Sequence, residues 1–426
     1  MDVAPLSWTN EPASDVSPFS CHEHDPSLPD SYGRRVWGLV LAHPAFEVAG
    51  YGDERTKSVG YSVRNLYGTV GLDRYKDYIL SWDDSEVEYP RVFLTPEQAD
   101  KYRRAVKEDP DFPLREMVEN YYWFTRDPET AQRELPDVHQ KLQRNIHHII
   151  TRLSIHHHHT LSQYGRPIGH TESVLSWPDL PDEDRKTIKA RLALLSYLLV
   201  DPDVTSAGDG SHHGNPNMGV SRLMDRSNLM AMIPTHPMFD AWSEYMGMFM
   251  EYKMGSFMAP EGSWFEYGAS YHMHGYSKIE RGLMGLFSSE PSMTDRLWEY
   301  NRTDFDYFLN LLSPTDPRYN SRIIPGMANA PAGQSPHYLQ AMGTVSERDP
   351  DFAANLRWAW DANGRMIGTG ADALTIPAMV RPWIEPEQAE LQSQSYPGFG
   401  VIFRAHQGPN ETALYLRSGY NWSHWN

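Results

Sequence analysis

The sequence of 426 residues is poor in cysteine, in long apolar runs and in positive charge. Its single cysteine, Cys21, excludes an internal disulfide framework and a cysteine-based zinc cluster. No segment approaches the roughly 18 uninterrupted apolar residues of a membrane span, so we expect none. Residues 1–30 also lack the basic and apolar blocks of a secretory signal, and the residues given therefore do not support export.

Positive charge is scarce as well, since 38 basic residues stand against 56 acidic ones and the net charge is -18. A nucleic-acid-binding protein normally presents a basic face to phosphates, so this balance argues against a nucleic-acid partner. It does not exclude an anionic substrate. Arg, Lys and His inside a cleft can hold a polyanion while the outer surface stays acidic.

Aromatic side chains, in contrast, are abundant: they make up 12% of the residues, with 13 Trp and 24 Tyr. Together with a hydrophobic fraction of 40%, this composition predicts a globular protein rather than a disordered one. The chain length predicts two domains. Because Tyr and Trp combine apolar area with a polar handle, these rings suit either a large core or the wall of a sugar-binding cleft.

Three regions of the chain differ in their residue pattern. Residues 1–90 indicate an irregular leader and an extended arm. Residues 91–390 carry apolar residues at three- and four-residue spacing between Pro/Gly loops, with Thr95 and Pro96 as a helix start. Helical hairpins in series without a short repeat favour an incomplete (α/α) toroid or barrel, so the predicted class is mainly α.

The third region, residues 391–426, alternates in the manner of strands around the turn "GPNE". This pattern predicts the beginning of an antiparallel β-sandwich. Because the pattern is still running at "LRSGYNWSHWN", we expect the chain to be a piece of a longer protein. A periplasmic or secreted location is expected if the chain is a fragment or a mature form, and the localisation is otherwise open.

Two polar segments lead into helices of the central region. In "HHGNPNMGVSR", Asn217 lies at the N-terminal edge of a predicted helix, where amides and the helix dipole favour an anion. A plain N-cap is the alternative role. In "PEGSWFEYGASYHMHGYSK", Tyr267 and Tyr271 share a helix face, and nearby cations would stabilise a phenolate and lower the pKa of a tyrosine base.

These two segments, in this order and followed by "YPGFGVIFRA", resemble the heparinase II/III-like polysaccharide lyases, which include the oligoalginate lyases. The resemblance covers about residues 90–426. It implies a helical toroid that carries a catalytic Asn and a catalytic Tyr, and a β-sandwich that supplies a His. The segment "NWSHWN", with His424, is similar to that part of the sandwich, although the usual His-x-His-x-Asp form is absent.

The resemblance implies β-elimination at a uronic acid. Asn217 would hold the carboxyl group and stabilise the enolate-like state, and Tyr271 would pass a proton to the leaving oxygen and act as base for one sugar epimer. His424 would take the C5 proton of the other epimer, with His213 or His272 as substitutes. The residues expected to bind substrate are His213, Arg222, Tyr267, His272 and Glu266.

The reaction implied by the resemblance requires no cofactor. A structural metal ion, Zn or Ca, is a feature of some relatives, and His406 and His424 are available for it, although too few ligands can be named. Two other functions stay open: an α/α-barrel glycoside hydrolase with paired carboxylates such as Glu266 and Asp209, and a non-catalytic carbohydrate-binding protein. The expected partner is an anionic polysaccharide or oligosaccharide, with no nucleic acid and with a homo-oligomer as an option.

Overall fold

The computed structural model describes residues 78–152, 168–200, 226–264, 272, 282–285, 291–326, 332–335, 337–367, 379–406, 408 and 410–418. Its helices are α1 (Pro96–Glu108), α2 (Arg115–Val118), α3 (Tyr122–Thr125), α4 (Pro128–Arg152), α5 (Ile168–Leu175), α6 (Asp182–Val200), α7 (Phe239–Phe257), α8 (Pro291–Asn310), α9 (His337–Val345) and α10 (Pro350–Ala362). The strands are β1 (Gln394–Tyr396), β2 (Gly400–Ala405) and β3 (Thr412–Arg417).

The described part of the chain is mainly helical, with a small antiparallel sheet towards the C-terminal end, which confirms the predicted class at this level. Buried residues from the long helices share one hydrophobic core, to which α1 contributes Tyr102, α6 Leu194, α7 Met250 and α10 Trp360. Helix α4 packs against α5 and α6, and α9 packs against α10. Among the described helices, none combines the length and the apolar character that crossing a membrane requires.

The start of α1 follows directly from its sequence. The Thr95 hydroxyl accepts from the backbone N–H of Gln98, and the Gln98 side chain accepts from the backbone N–H of Thr95. This reciprocal pair is a capping box. Pro96 suits the first helical position, because a backbone N–H there would have no partner within the helix and proline lacks one. The predicted helix start at Thr95 and Pro96 is therefore confirmed.

The apolar spacing in the segment "REMVENYYWFT" predicts one helix, but the segment forms two short ones, α2 and α3. Tyr121 between them is extended, with φ -110° and ψ 133°. The next amide, that of Tyr122, donates to the Ser173 hydroxyl at 2.6 Å and to Glu134 at 3.1 Å instead of to its own helix. Contacts with α4 and α5 thus replace the hydrogen bond that would continue α2 into α3.

The three strands form a sheet in the order β1-β2-β3, with both pairs antiparallel. Ile402 and Tyr415 are paired on the inner face, whereas Phe403 and Leu414 are paired on the outer face. Successive strand residues alternate between the two faces, as the strand geometry requires. The outer face exposes Phe403, Leu414 and Leu416.

Polar contacts fasten this sheet to the helical body. The guanidinium of Arg404 on β2 donates to the carbonyls of Asn310 and Leu312 at the end of α8. The hydroxyl of Tyr415 on β3 donates to the Leu312 carbonyl at 3.1 Å, and the Asn310 amide donates to the Tyr396 hydroxyl at 2.8 Å. The carbonyl of Asn310, the last residue of α8, is thereby satisfied by the sheet.

Candidate functional site

Of the residues predicted to act in catalysis or to bind substrate, His272 is the one that lies among the described residues. The others lie outside the described residues, and their roles stay predictions: Asn217, Tyr271, His424, His213, Arg222, Tyr267 and Glu266. Asp209, the second carboxylate of the hydrolase alternative, lies outside them as well. Within the segment that contains Tyr271, the structure describes residues 260–264 and His272.

His272 is buried, with 2% of its surface exposed, and both of its ring nitrogens contact protein groups. The backbone N–H of Trp264 donates to Nδ1 at 3.1 Å, and Nε2 lies 2.5 Å from Oδ1 of Asp304. Burial and, after it, the neighbouring His337 lower the pKa of His272 well below its ordinary value. A buried neutral ring in this setting suits the support of a neighbour better than direct contact with a sugar.

Asp304 joins His272 to a second histidine. Its side chain on α8 is fully buried, and its Oδ2 lies 3.3 Å from Nε2 of His337, the first residue of α9. The backbone N–H of His337 donates to the Ser335 hydroxyl at 3.1 Å, which fixes the start of that helix. We refer to these three side chains as the His272–Asp304–His337 group.

The donor atoms of the His272–Asp304–His337 group lie within 4.8 Å of one another, so the group could hold a metal ion. Two imidazole nitrogens and one carboxylate oxygen are ligands that zinc and other transition metals accept. Asp304 and His337 were not singled out from the sequence. The available signal was Asp304 itself, because it lies beside Phe305 on the apolar, buried side of α8, where an unpaired carboxylate would be costly.

The turn at the beginning of the predicted catalytic segment, residues 260–264, is fixed to the sheet. Oε1 of Glu261 accepts from the backbone N–H of Gly398 at 2.5 Å and from the Ser263 hydroxyl at 2.9 Å. Met258 and Trp264 pair as an isolated antiparallel bridge across this turn. Trp264 and His272, which flank residues 265–271 in the sequence, are thus held close together where the helical body meets the sheet.

A separate cavity of about 360 Å³ has Arg322, Arg404, His406 and Glu411 among its lining residues. Both arginines are paired with Glu411, and Arg404 is nearly buried. The surroundings of His406, one of the two histidines available for a structural metal ion, thus carry two positive charges against one negative. These residues do not fit a metal cation, because like charges repel it.

A second cavity, of about 350 Å³, lies between α2, α4 and α5. Nδ1 of His170 lies 2.6 Å from Oε1 of Glu134, and the His170 ring is stacked on Tyr121 with 4.8 Å between the centroids. Glu134 also accepts from the Ser173 hydroxyl at 2.7 Å. With three donors around it, the Glu134 carboxylate is satisfied by α3 and α5, which accounts for its burial.

Comparisons with known proteins give no family assignment. A scan of the sequence against protein-family models finds no match. A search of curated proteins finds no match either.

Proposed function

We propose that this chain is a polysaccharide lyase that cleaves a uronic-acid-containing anionic polysaccharide by β-elimination. The observation that carries the proposal is the position of the described residues of the segment "PEGSWFEYGASYHMHGYSK", namely 260–264 and 272, at the junction of helices and sheet. Glu261 at its beginning bonds Gly398 of the sheet, and His272 within it bonds Trp264 and Asp304. A junction of this kind suits a lyase whose catalytic groups come from both a helical domain and a β domain.

The proposed reaction breaks two bonds and needs no water. A base removes the proton from C5 of the uronate, and the bond between C4 and the glycosidic oxygen breaks. The electron pair of the C5–H bond forms a C4=C5 double bond, and the leaving oxygen takes a proton from an acid. The products are a new non-reducing 4,5-unsaturated uronate and a shortened chain.

Each step needs one of the residues predicted from the sequence. Asn217 would donate a hydrogen bond to the uronate carboxyl group and stabilise the negative charge that develops there. Tyr271 would give its proton to the leaving oxygen, and His424 or Tyr271 would take the C5 proton according to the sugar epimer. The carboxyl group must be neutralised in this way because a carboxylate makes the C5 proton poorly acidic.

The same proposal extends to the architecture. We propose that the helices belong to an (α/α) toroid and that the sheet is one layer of a β-sandwich. The exposed outer face of the sheet, with Phe403, Leu414 and Leu416, supports the second point. Apolar residues on one sheet face are what a second packed layer covers.

Ultraviolet absorbance tests the proposed activity. The chain is incubated with a panel of uronic-acid polysaccharides, and the conjugated double bond of the product is followed by its absorbance. We expect absorbance to rise with at least one polymer and Tyr271→Phe to abolish the rise while substrate binding is retained. Tyr252→Phe, which removes a phenol from an exposed position of α7, is the matched control and should keep the wild-type rate.

The alternatives predict other outcomes of the same assay. A glycoside hydrolase would release reducing ends without ultraviolet absorbance, because hydrolysis forms no double bond. A carbohydrate-binding protein would bind a polymer and release neither product. Either result across the whole panel would overturn the lyase proposal.

A further inference from the structure

The His272–Asp304–His337 group is buried in the helical body, and the sequence patterns assign a role to His272 but none to Asp304 or His337. We propose that it is a proton-bridged clamp that positions Tyr271 for proton transfer, and not a metal centre. The proposal rests on the lyase function for its kinetic part. Its structural part, which concerns the hydrogen on His272, can be tested without any turnover.

The hydrogen bonds of His272 decide between a proton and a metal ion. The Trp264 N–H donates to Nδ1, so Nδ1 carries a lone pair and the hydrogen of the neutral ring is on Nε2. That hydrogen points to Asp304, 2.5 Å away. A metal-bound histidine instead keeps a hydrogen on its other nitrogen and donates it to an acceptor. The Trp264 amide is itself a donor and cannot accept such a hydrogen. The group therefore fits a hydrogen on Nε2 of His272 better than a metal ion bound there.

The clamp joins three segments that are distant in the sequence. His272 belongs to the segment with Tyr271, Asp304 to α8, and His337 to the first turn of α9. Asp304 uses one carboxylate oxygen for each imidazole, Oδ1 at 2.5 Å and Oδ2 at 3.3 Å. The His272 ring also stacks on Tyr307, with 5.3 Å between the centroids. These contacts fix the ring from several sides and leave the backbone of His272 little freedom.

Tyr271 is covalently bound to this fixed residue. Adjacent Cα atoms are about 3.8 Å apart across a trans peptide bond, so a clamp on His272 restricts the position from which the Tyr271 side chain starts. Proton transfer depends on the distance between donor and acceptor, and a displacement of about 1 Å can reduce a rate on the order of 100-fold. His272 and Asp304 are therefore positioning residues in this proposal, acting through Tyr271.

Kinetics of Asp304→Asn test the positioning role. This substitution keeps the shape of the side chain and removes the charge that holds the His272 hydrogen. We expect kcat to fall on the order of 100-fold with KM nearly unchanged, because the substrate is still bound but the phenol is misplaced. Asp306→Asn on the same helix removes an exposed carboxylate that is paired with Arg302, and it should retain the wild-type kcat. Equal kcat values for the two variants would overturn the positioning role.

Nuclear magnetic resonance of protein with 15N-labelled histidine tests the clamp in the wild type, even if Asp304→Asn fails to fold. We expect the His272 ring to carry its hydrogen on Nε2 and to show a downfield proton signal from the hydrogen bond to Asp304. His272→Gln identifies this signal by its loss. A hydrogen on Nδ1, or an Nε2 with no hydrogen, would overturn the clamp, whether or not the protein is a lyase.

Metal analysis completes the test. Wild type, His272→Gln and Asp304→Asn are equilibrated with zinc, dialysed, and compared by elemental analysis. The tract His156 to His159 is present in all three proteins, so any zinc that it binds cancels in the comparison. We expect equal zinc contents. One additional zinc ion per chain in the wild type would show that the group is a metal site and would overturn the proposal.

Discussion

The imidazole of His236 is held in one neutral form by its neighbours. Its ring is stacked on Trp242 with 4.7 Å between the centroids and meets the edge of Tyr197 at 5.5 Å. The Met238 amide donates to Nδ1 at 3.1 Å, and Nε2 donates to the Ile79 carbonyl at 2.9 Å. Burial lowers the pKa of His236 from its ordinary value of 6.5, although the bond to Ile79 opposes this shift.

This lowered pKa predicts that acid weakens the fold through His236. Below pH about 6.5 the unfolded chain takes up a proton on this ring more readily than the folded chain does. The stability that His236 contributes is therefore complete above that pH and is lost as the pH falls below it. The slope attributable to this one ring is at most about 1.4 kcal/mol per pH unit.

Urea unfolding of the wild type and of His236→Gln across pH values from about 5 to 8 measures this effect. Glutamine can donate and accept hydrogen bonds but does not titrate. The free energy of unfolding should fall more steeply with acid in the wild type than in the variant. The other titrating groups act on both proteins, so parallel slopes would contradict the prediction.

At the scale of elements, the contact between the turn at 259–264 and the sheet leaves no room at Gly398. A Cβ atom there would lie 2.2 Å from Oγ of Ser263 and 2.7 Å from Cβ of Ala259. Gly398→Ala should therefore destabilise the protein by about 1–3 kcal/mol, because the turn and the sheet must move apart. Gly333→Ala is the control, since a Cβ atom there meets nothing within 4 Å.

The two glycine variants are compared by their urea midpoints. We expect a lower midpoint for Gly398→Ala and a midpoint close to the wild type for Gly333→Ala. In the lyase proposal, Gly398→Ala should also lose activity, because the turn begins the segment that contains Tyr271. Equal midpoints would mean that the junction tolerates an added methyl group and is looser than the contacts indicate.

Elements with local signals were predictable from the sequence, and contacts between elements were not. The helix start at Thr95 and Gln98 and the apolar spacing of α6 involve residues only a few positions apart. The sequence pattern alone therefore predicts both features. The division of "REMVENYYWFT" into α2 and α3 depends on Ser173 and Glu134 of other helices, and no local pattern contains it.

The candidate site shows the same limit. His272 was predicted because it lies in a recognisable segment, but its partners Asp304 and His337 lie in α8 and α9 and meet it only after the helices pack. An acidic residue on a buried helix face signals that a partner exists, without identifying the partner. The catalytic positions Asn217 and Tyr271 stay predictions from the resemblance.

At the scale of the whole molecule, one buried cluster of charges joins the sheet to the helical body. Arg404 on β2 donates to Glu411 at 2.9 Å and to the Asn310 carbonyl at 2.7 Å. Arg322 donates to the same carboxylate at 2.5 Å. The side chains of Arg404 and Glu411 are 5% and 7% exposed. If one of them is removed, water can therefore replace few of the hydrogen bonds that its partner loses.

Removal of the Arg404 guanidinium should consequently weaken the attachment of the sheet. Arg404→Ala leaves Glu411 with one cation and the α8 carbonyls with fewer donors, and we expect a loss of about 3–5 kcal/mol. Arg318→Ala removes an exposed arginine that is paired with Asp316, and it should leave stability unchanged. Tryptophan fluorescence and far-ultraviolet circular dichroism during urea unfolding measure both variants.

These two probes also show whether the sheet and the helices unfold as one unit. If the cluster couples them, Arg404→Ala should shift the fluorescence and circular dichroism transitions together and keep a single midpoint. The reason is that β2 and β3 bond directly to the end of α8, so that loss of the sheet exposes helical carbonyls. Separate midpoints would show that the helical body is stable alone and that the sheet is an attachment to it. A lyase with its site at this junction would then lose activity before the helices unfold.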